Sequence, residues 1–300
     1  MPKAPHPLPV PLTWGPFTVA EARDTGVSPA RLRAKDLAAP FRGVRVAQPP
    51  TSVRLLCEAY AARMPPSQYF SHTTAAQLWG FPLPKPFETA SPLHVSAVPP
   101  SREPRVKGVV GHRGTAGAGI RLIFGLPVLA PSETWLQLAP LLDLDDLIAA
   151  GDRLFKWRDQ LATRAELAGA IERMTQQSGI RKARAAAREL RAGSNSPRET
   201  RLRLEVLRAG FPEPELNGEI LLRNGKRTWG DLVFRRYGTL LEFDGEQHRT
   251  DARQWRRDVD RLNDLVDDGW LTTRVRRDSR DHLQRLERNL RRRGWRPGAK

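Results

Sequence analysis

The chain has 300 residues, 39% of them hydrophobic, and its 50 Lys and Arg against 33 Asp and Glu leave a formal charge of +17. That length suggests about two domains. The single cysteine, Cys57, excludes a disulfide framework and makes the cytoplasm the expected compartment, and no run of about 18 apolar residues offers a membrane span. The basic excess points to a polyanion, most commonly nucleic acid, although a GC-rich genome would also raise the Arg count. It is uneven: residues 101–150 hold 5 basic and 5 acidic groups, residues 251–300 hold 15 and 9.

Residues 1–12, MPKAPHPLPVPL, are Pro-rich and read as a loose tail rather than a signal peptide. Over 13–50, Thr18 caps a short helix to Thr25, Gly26-Val27-Ser28 turns the chain, and Pro29 starts a second helix capped by Ser28. A strand, FRGVRVA, follows. Helix, Gly turn, Arg-bearing helix and strand is the pattern of a winged helix-turn-helix, with Arg31, Arg33 and Lys35 as DNA-facing residues. Helical hairpins with structural or protein-binding uses share that pattern.

Residues 51–160 read as an α+β region. A helix over 51–64 stops at Pro65-Pro66, and Ser71 caps a second helix ending at Gly80. His72, at that helix start, suits local hydrogen bonding better than catalysis. LHVSAV, VVGHR and IRLIFGLPVL alternate as strands. GTAGAG, 114–119, lacks the Lys-Ser or Lys-Thr of a phosphate loop and reads as a hairpin connection. Ser132 is available to cap the helix PSETWLQL, and Thr163 with Glu166 forms a capping box. Residues 161–194 form a helical connector whose basic run, IRKARAAARELRAG, faces either solvent or phosphate.

The unit from 195 to 300 opens with Ser196, Pro197 and Glu199 as a capping box, though Glu199 can cap and still face a site. A strand near 219–222 precedes TWGDLVFRRYGTLLEFDGEQH, 228–248, which has the form of a β-hairpin. Asp231 opens its first strand. Glu242 and Asp244, two apart on the second, project from one face. Two carboxylates on one face of a buried strand are costly without a positive partner, and a hard divalent cation is the natural one. Asp244-Gly245 is equally good turn chemistry. A long helix, the strand LTTRV and a last helix complete a mixed sheet flanked by helices.

On SPRETRLR, GDLVF, LLEFDGEQH, Arg257-Asp258, Arg261 and GWLTTRV, the segment 196–300 resembles the very-short-patch-repair-like branch of the PD-(D/E)XK nuclease superfamily, with its restriction-endonuclease-like fold. SHTTAAQLWGF and GLPVLAPSETWLQLA resemble proteins that place a winged helix like that of type IV, abortive-infection antitoxins before such a module. The expected architecture is therefore a multidomain α+β or α/β chain: N-terminal winged helix, middle α+β region, C-terminal restriction-endonuclease-like mixed sheet.

The resemblance implies Mg²⁺ (or Mn²⁺) held by Asp231, Glu242 and the Phe243 carbonyl. The superfamily's Lys two residues after Glu242 is here Asp244, which could itself ligate metal. Glu199, His248 and Gln247 join the catalytic candidates, His248 as base or leaving-group donor, and Arg257 and Arg261 the phosphate contacts. The implied activity is endonucleolytic hydrolysis of DNA, with a non-catalytic, antitoxin-type DNA-binding regulator as the alternative. DNA is the expected partner, with a cognate toxin as a possible second; neither a membrane nor a small-molecule cofactor is expected.

Overall fold

Thr18 accepts the Glu21 N–H while the Glu21 carboxylate takes the Thr18 N–H, and this reciprocal box starts α1 (Val19–Asp24) directly after β1 (Phe17–Thr18). The computed structural model describes residues 5–243, 252–276 and 279–298, with the backbone alone over 252–258. It separates two units, Met1–Asp143 with Leu161–Ala185, and Leu144–Gln160 with Ala186–Lys300. Both mix helices with mixed sheets, an α+β architecture. No helix among the described residues is long and apolar enough to cross a membrane.

In the first unit β1 pairs antiparallel with β2 (Val44–Arg45) over a small core that includes Phe17, Ala22 and Leu32. The second helix expected after Ser28 is a single 3-10 turn, Arg31–Arg33. The cause is Arg45: its Nε donates to the Leu32 carbonyl at 2.7 Å, the acceptor a continuing helix would offer to residue 36. Ala34 is accordingly extended, and Ala38 bridges to Val46.

Beyond α2 (Val53–Ala61) come β3 (Gln68–Phe70), α3 (His72–Leu78), β4 (Leu93–Ala97), β5 (Val109–Arg113), β6 (Ile120–Ile123) and β7 (Leu126–Leu129). The five strands lie in the order β5-β4-β3-β7-β6. Residues 114–119 are therefore no hairpin connection, because β5 and β6 are opposite edges of the sheet. β3, three residues long and unread in the sequence, takes the centre, antiparallel to β4 and parallel to β7. Gly114 starts the crossing, donating its N–H to Ala97 where an added Cβ would lie 2.7 Å from the Tyr69 hydroxyl. Behind the sheet Tyr60, Phe70, Leu78, Val95 and Val128 share one core.

α4 (Pro131–Leu138) is buried along its whole length. Its cap position is Ala130, with Pro131 first in the helix; this moves Ser132 inside, where it caps nothing and its Oγ is buried without a hydrogen-bond partner among the described residues. A buried unsatisfied hydroxyl is a cost. Ser132→Ala is thus expected to stabilise the chain by about 1 kcal/mol, read as a raised urea midpoint with an unchanged slope.

α5 (Leu144–Asp152) belongs to the second unit, α6 (Arg164–Arg173) to the first, opened by the expected Thr163–Glu166 box, and α7 (Ile180–Glu189) contains the border between them. The second unit continues with α8 (Pro197–Arg208), β8 (Glu215–Leu221), β9 (Arg227–Phe234), β10 (Thr239–Phe243), α9 (Ala252–Asp267), β11 (Leu271–Val275) and α10 (His282–Arg292). The sheet order is β11-β10-β9-β8, with β10 parallel to β11 and the other pairs antiparallel. β9 and β10 form the expected hairpin, turned at Gly238 with φ 50°. Strand alternation assigns the two faces. Leu232 and Leu241 pack with Leu202 of α8 and Leu286 of α10, while Val233 and Leu240 pack with Leu265 of α9.

Candidate functional site

Asp231 lies within β9 rather than at its start. The pairing Leu241↔Leu232, carried one step on, sets Glu242 across from Asp231, and antiparallel partners directly opposite share a face. That face is the one α9 covers. From α9, Arg261 meets Glu242 with two parallel bonds, Nη1 to Oε1 and Nη2 to Oε2, both 2.8 Å, and Nη1 also donates to the Trp229 carbonyl at 3.0 Å. The Glu242 side chain is 8% exposed and that of Arg261 31%.

Glu199 approaches from the start of α8. Its N–H donates to Ser196 Oγ at 3.2 Å, so Ser196 is the cap that its spacing announces. The reciprocal bond lands one residue earlier than a capping box requires: Glu199 Oε2 accepts the Asn195 N–H at 2.9 Å and Asn217 Nδ2 at 2.7 Å, while Oε1 takes the Ser196 hydroxyl at 3.0 Å. Asn217 sits on β8 between the pairs Leu216↔Leu232 and Gly218↔Gly230, opposite Asp231, with φ 46°. A positive φ away from glycine is uncommon, and Asn tolerates it best. Here it delivers the amide to Glu199.

Three carboxylates thus gather, and they are unequally satisfied. Among the described residues Glu199 has three donors and Glu242 a whole guanidinium, whereas Asp231 Oδ2 accepts only the Phe243 N–H, at 2.7 Å. Burial pushes the Asp231 carboxyl up to about 6; the charges of Glu199 and Glu242 add to the rise, and the Phe243 N–H and Arg261 oppose it. A half-buried acid with one donor and two acidic neighbours attracts either a proton or a cation.

Asp244, Gln247 and His248 lie outside the described residues, as do the side chains of Arg257 and Asp258. Among the DNA-facing candidates of the first unit, Arg31 is engaged, forking onto Asp36 at 2.9 and 2.8 Å and bonding the His6 carbonyl, with its side chain 10% exposed. Arg33 and Lys35 stand exposed.

A second constellation went unread in the sequence. His72 at the start of α3, His94 on β4 and His112 on β5 bring one nitrogen each within 4.8 Å of one another. His94 Nδ1 lies 2.9 Å from His112 Nε2, and the His72 ring stacks on His112 with centroids 3.8 Å apart. The local bond expected of His72 is present, Nδ1 to Ser71 Oγ at 3.0 Å. Three of the six histidines within 41 residues, two of them on strands, was the available signal. It becomes legible only once β4 and β5 are known to be neighbours. Set beside protein-family models, curated proteins and solved structures, the chain matches none of them.

Proposed function

We propose that the second unit is a metal-dependent DNA endonuclease domain of the very-short-patch-repair-like, PD-(D/E)XK kind, and that the basic surface and the winged-helix-like N-terminal segment hold the chain on DNA. The observation that carries this is the proximity of Glu242 and Glu199 to Asp231, from a strand hairpin and a helix start, with one hydrogen-bond donor to the Asp231 carboxylate among the described residues. The donors are all oxygen, the type a hard divalent cation takes, although among the described residues the three carboxylates do not converge to within 4.8 Å of one another as the three histidines do. Asp231 would ligate Mg²⁺ or Mn²⁺ with relief of the repulsion it now bears, Glu242 would be the second carboxylate, and Asp244 is assigned as a third ligand by sequence alone. Bound Mg²⁺ acidifies a water and polarises the scissile phosphate.

The chain's own residues supply the rest. Arg261, now spanning Glu242, can turn one N–H toward a phosphate oxygen while keeping the other on the carboxylate. Glu199 is fixed by its three donors. His248 is assigned as proton acceptor or leaving-group donor, and Gln247 and Arg257 as phosphate contacts, all from sequence. The test is incubation of the full chain with supercoiled DNA in Mg²⁺ or Mn²⁺ against EDTA. Metal-dependent nicking or linearisation is expected, abolished in Asp231→Ala and in Asp244→Ala. Absence of cutting, or cutting that survives both substitutions, removes the catalytic reading.

One observation favours the alternative, a non-catalytic DNA-binding regulator of type IV antitoxin type: both Glu242 oxygens are already occupied by Arg261. That reading expects a sequence-specific footprint, lost in Arg33→Ala with Lys35→Ala and indifferent to Asp231→Ala.

A further inference from the structure

We propose that His72, His94 and His112 form a binding site for a divalent transition-metal ion, Zn²⁺ by preference, in the first unit and separate in chemistry from the carboxylate cluster. The inference holds whether or not the second unit cuts DNA. Imidazole nitrogens suit zinc and its neighbours in the first transition row, whereas Mg²⁺ demands oxygen. Three nitrogens each about 2.0–2.1 Å from a tetrahedral ion stand roughly 3.3 Å apart. The 2.9 Å between His94 Nδ1 and His112 Nε2, and the 4.8 Å bound over all three side chains, lie within small ring rotations of that arrangement.

The frame holding the rings is built. His94 is fixed through its N–H, which donates to Thr74 Oγ1 at 2.8 Å, and β4 runs parallel to β5 with His94 opposite Val110 and Ser96 opposite His112. His72 takes φ 50°, uncommon for a residue with a side chain, and its N–H donates to Gln137 Oε1 at 2.8 Å. Such strained conformations cluster at functional sites.

Ser71 Oγ accepts from Ser96 Oγ at 2.8 Å and lies 3.0 Å from His72 Nδ1. That contact occupies Nδ1 and leaves Nε2 as the ligating nitrogen, and such an outer partner is usual for a metal-bound imidazole. His94 and His112 share one proton across their 2.9 Å contact, which a bound ion displaces.

Burial and the surrounding imidazoles hold His72 at about 3 and His94 at about 4, so both are neutral, as ligands must be, near pH 7. All three side chains are half-buried rather than sealed. Three protein ligands with solvent access leave a fourth position for water or an exogenous ligand, the form of a reactive rather than a closed structural zinc site.

The experiment is titration of the EDTA-treated, dialysed full chain with Zn²⁺ by calorimetry, with Co²⁺ as a spectroscopic probe. One ion per chain is expected, with the intense visible absorption of four-coordinate Co²⁺. Affinity should fall more than about 100-fold in His94→Ala. Should that variant fail a circular-dichroism check of folding, His112→Gln on the edge strand β5 carries the same expectation. Wild-type chain that binds no Zn²⁺ overturns the proposal. So does Zn²⁺ binding that persists in a folded triad variant but disappears in Asp231→Asn with His248→Ala, which would assign the ion to the other unit.

Discussion

Replacing Asp152 by alanine is expected to lower the stability of the second unit by about 3–5 kcal/mol, as measured by urea denaturation of the full chain. Asp152 closes α5 and is 1% exposed. Its Oδ2 accepts from Thr200 Oγ1 at 2.8 Å and from Arg203 Nη2 at 3.1 Å, and its Oδ1 from the Arg191 N–H at 2.7 Å. Arg203 is wholly buried, and its Nε and Nη1 have no hydrogen-bond partner among the described residues.

Desolvation raises the Asp152 carboxyl above its usual range despite these donors, so for this carboxylate burial outweighs the attraction of its partners. Truncating one partner is far worse, because it leaves a guanidinium buried with no counter-charge. Asp152→Ala with Arg203→Leu should therefore recover most of the loss, giving a coupling energy above about 2 kcal/mol. Additive losses would refute the coupling. Thr200 and Arg203 lie one and four residues beyond Glu199 on α8, so the network that clamps this helix to α5 also sets where Glu199 stands.

That dependence marks the limit of what the sequence could say about the site. Asp231, Glu242 and Glu199 were legible because strand alternation and cap spacing are local, and each sits on the element its pattern announced. The β9–β10 hairpin and β11 were equally legible, since apolar runs bounded by Gly leave few alternatives. Arg261 could be placed on its helix, but its grip on Glu242 depends on α9 lying over the face of Val233 and Leu240, a tertiary fact.

In the first unit the longer-range features were hidden. β3 is too short to show a period, and without it the strands around GTAGAG looked like neighbours. The expected Arg-bearing helix yields to a contact thirteen residues away, Arg45 on the Leu32 carbonyl. The histidines come from three elements whose adjacency no window of the chain contains.

Asp231→Asn should separate folding from chemistry. In the folded chain the Asp231 carboxyl sits at about 6, against 3.8 for an unperturbed one. Between those values the native state holds a proton that the unfolded chain has released, so stability falls as pH rises through this window. Below about pH 4 both states are protonated and the group costs nothing; above about pH 6 the full charge is carried by the fold. Two pH units correspond to at most about 3 kcal/mol, and the partial exposure of this side chain reduces that to about 1–2 kcal/mol.

Asparagine keeps an acceptor for the Phe243 N–H but carries no charge. The variant is therefore expected to be more stable than wild type at pH 7 by about 1–2 kcal/mol, with the difference vanishing below pH 4. Millimolar Mg²⁺ should raise the wild-type melting temperature at pH 7 and leave that of the variant unchanged. DNA cleavage by the variant should fall more than about 100-fold. Greater stability with lost cleavage assigns Asp231 to function at the expense of the fold, whereas a variant less stable than wild type at pH 7 would make it a structural residue. Stability gained while cleavage persists would leave the carboxylate as inherited charge and move the chemistry to other residues.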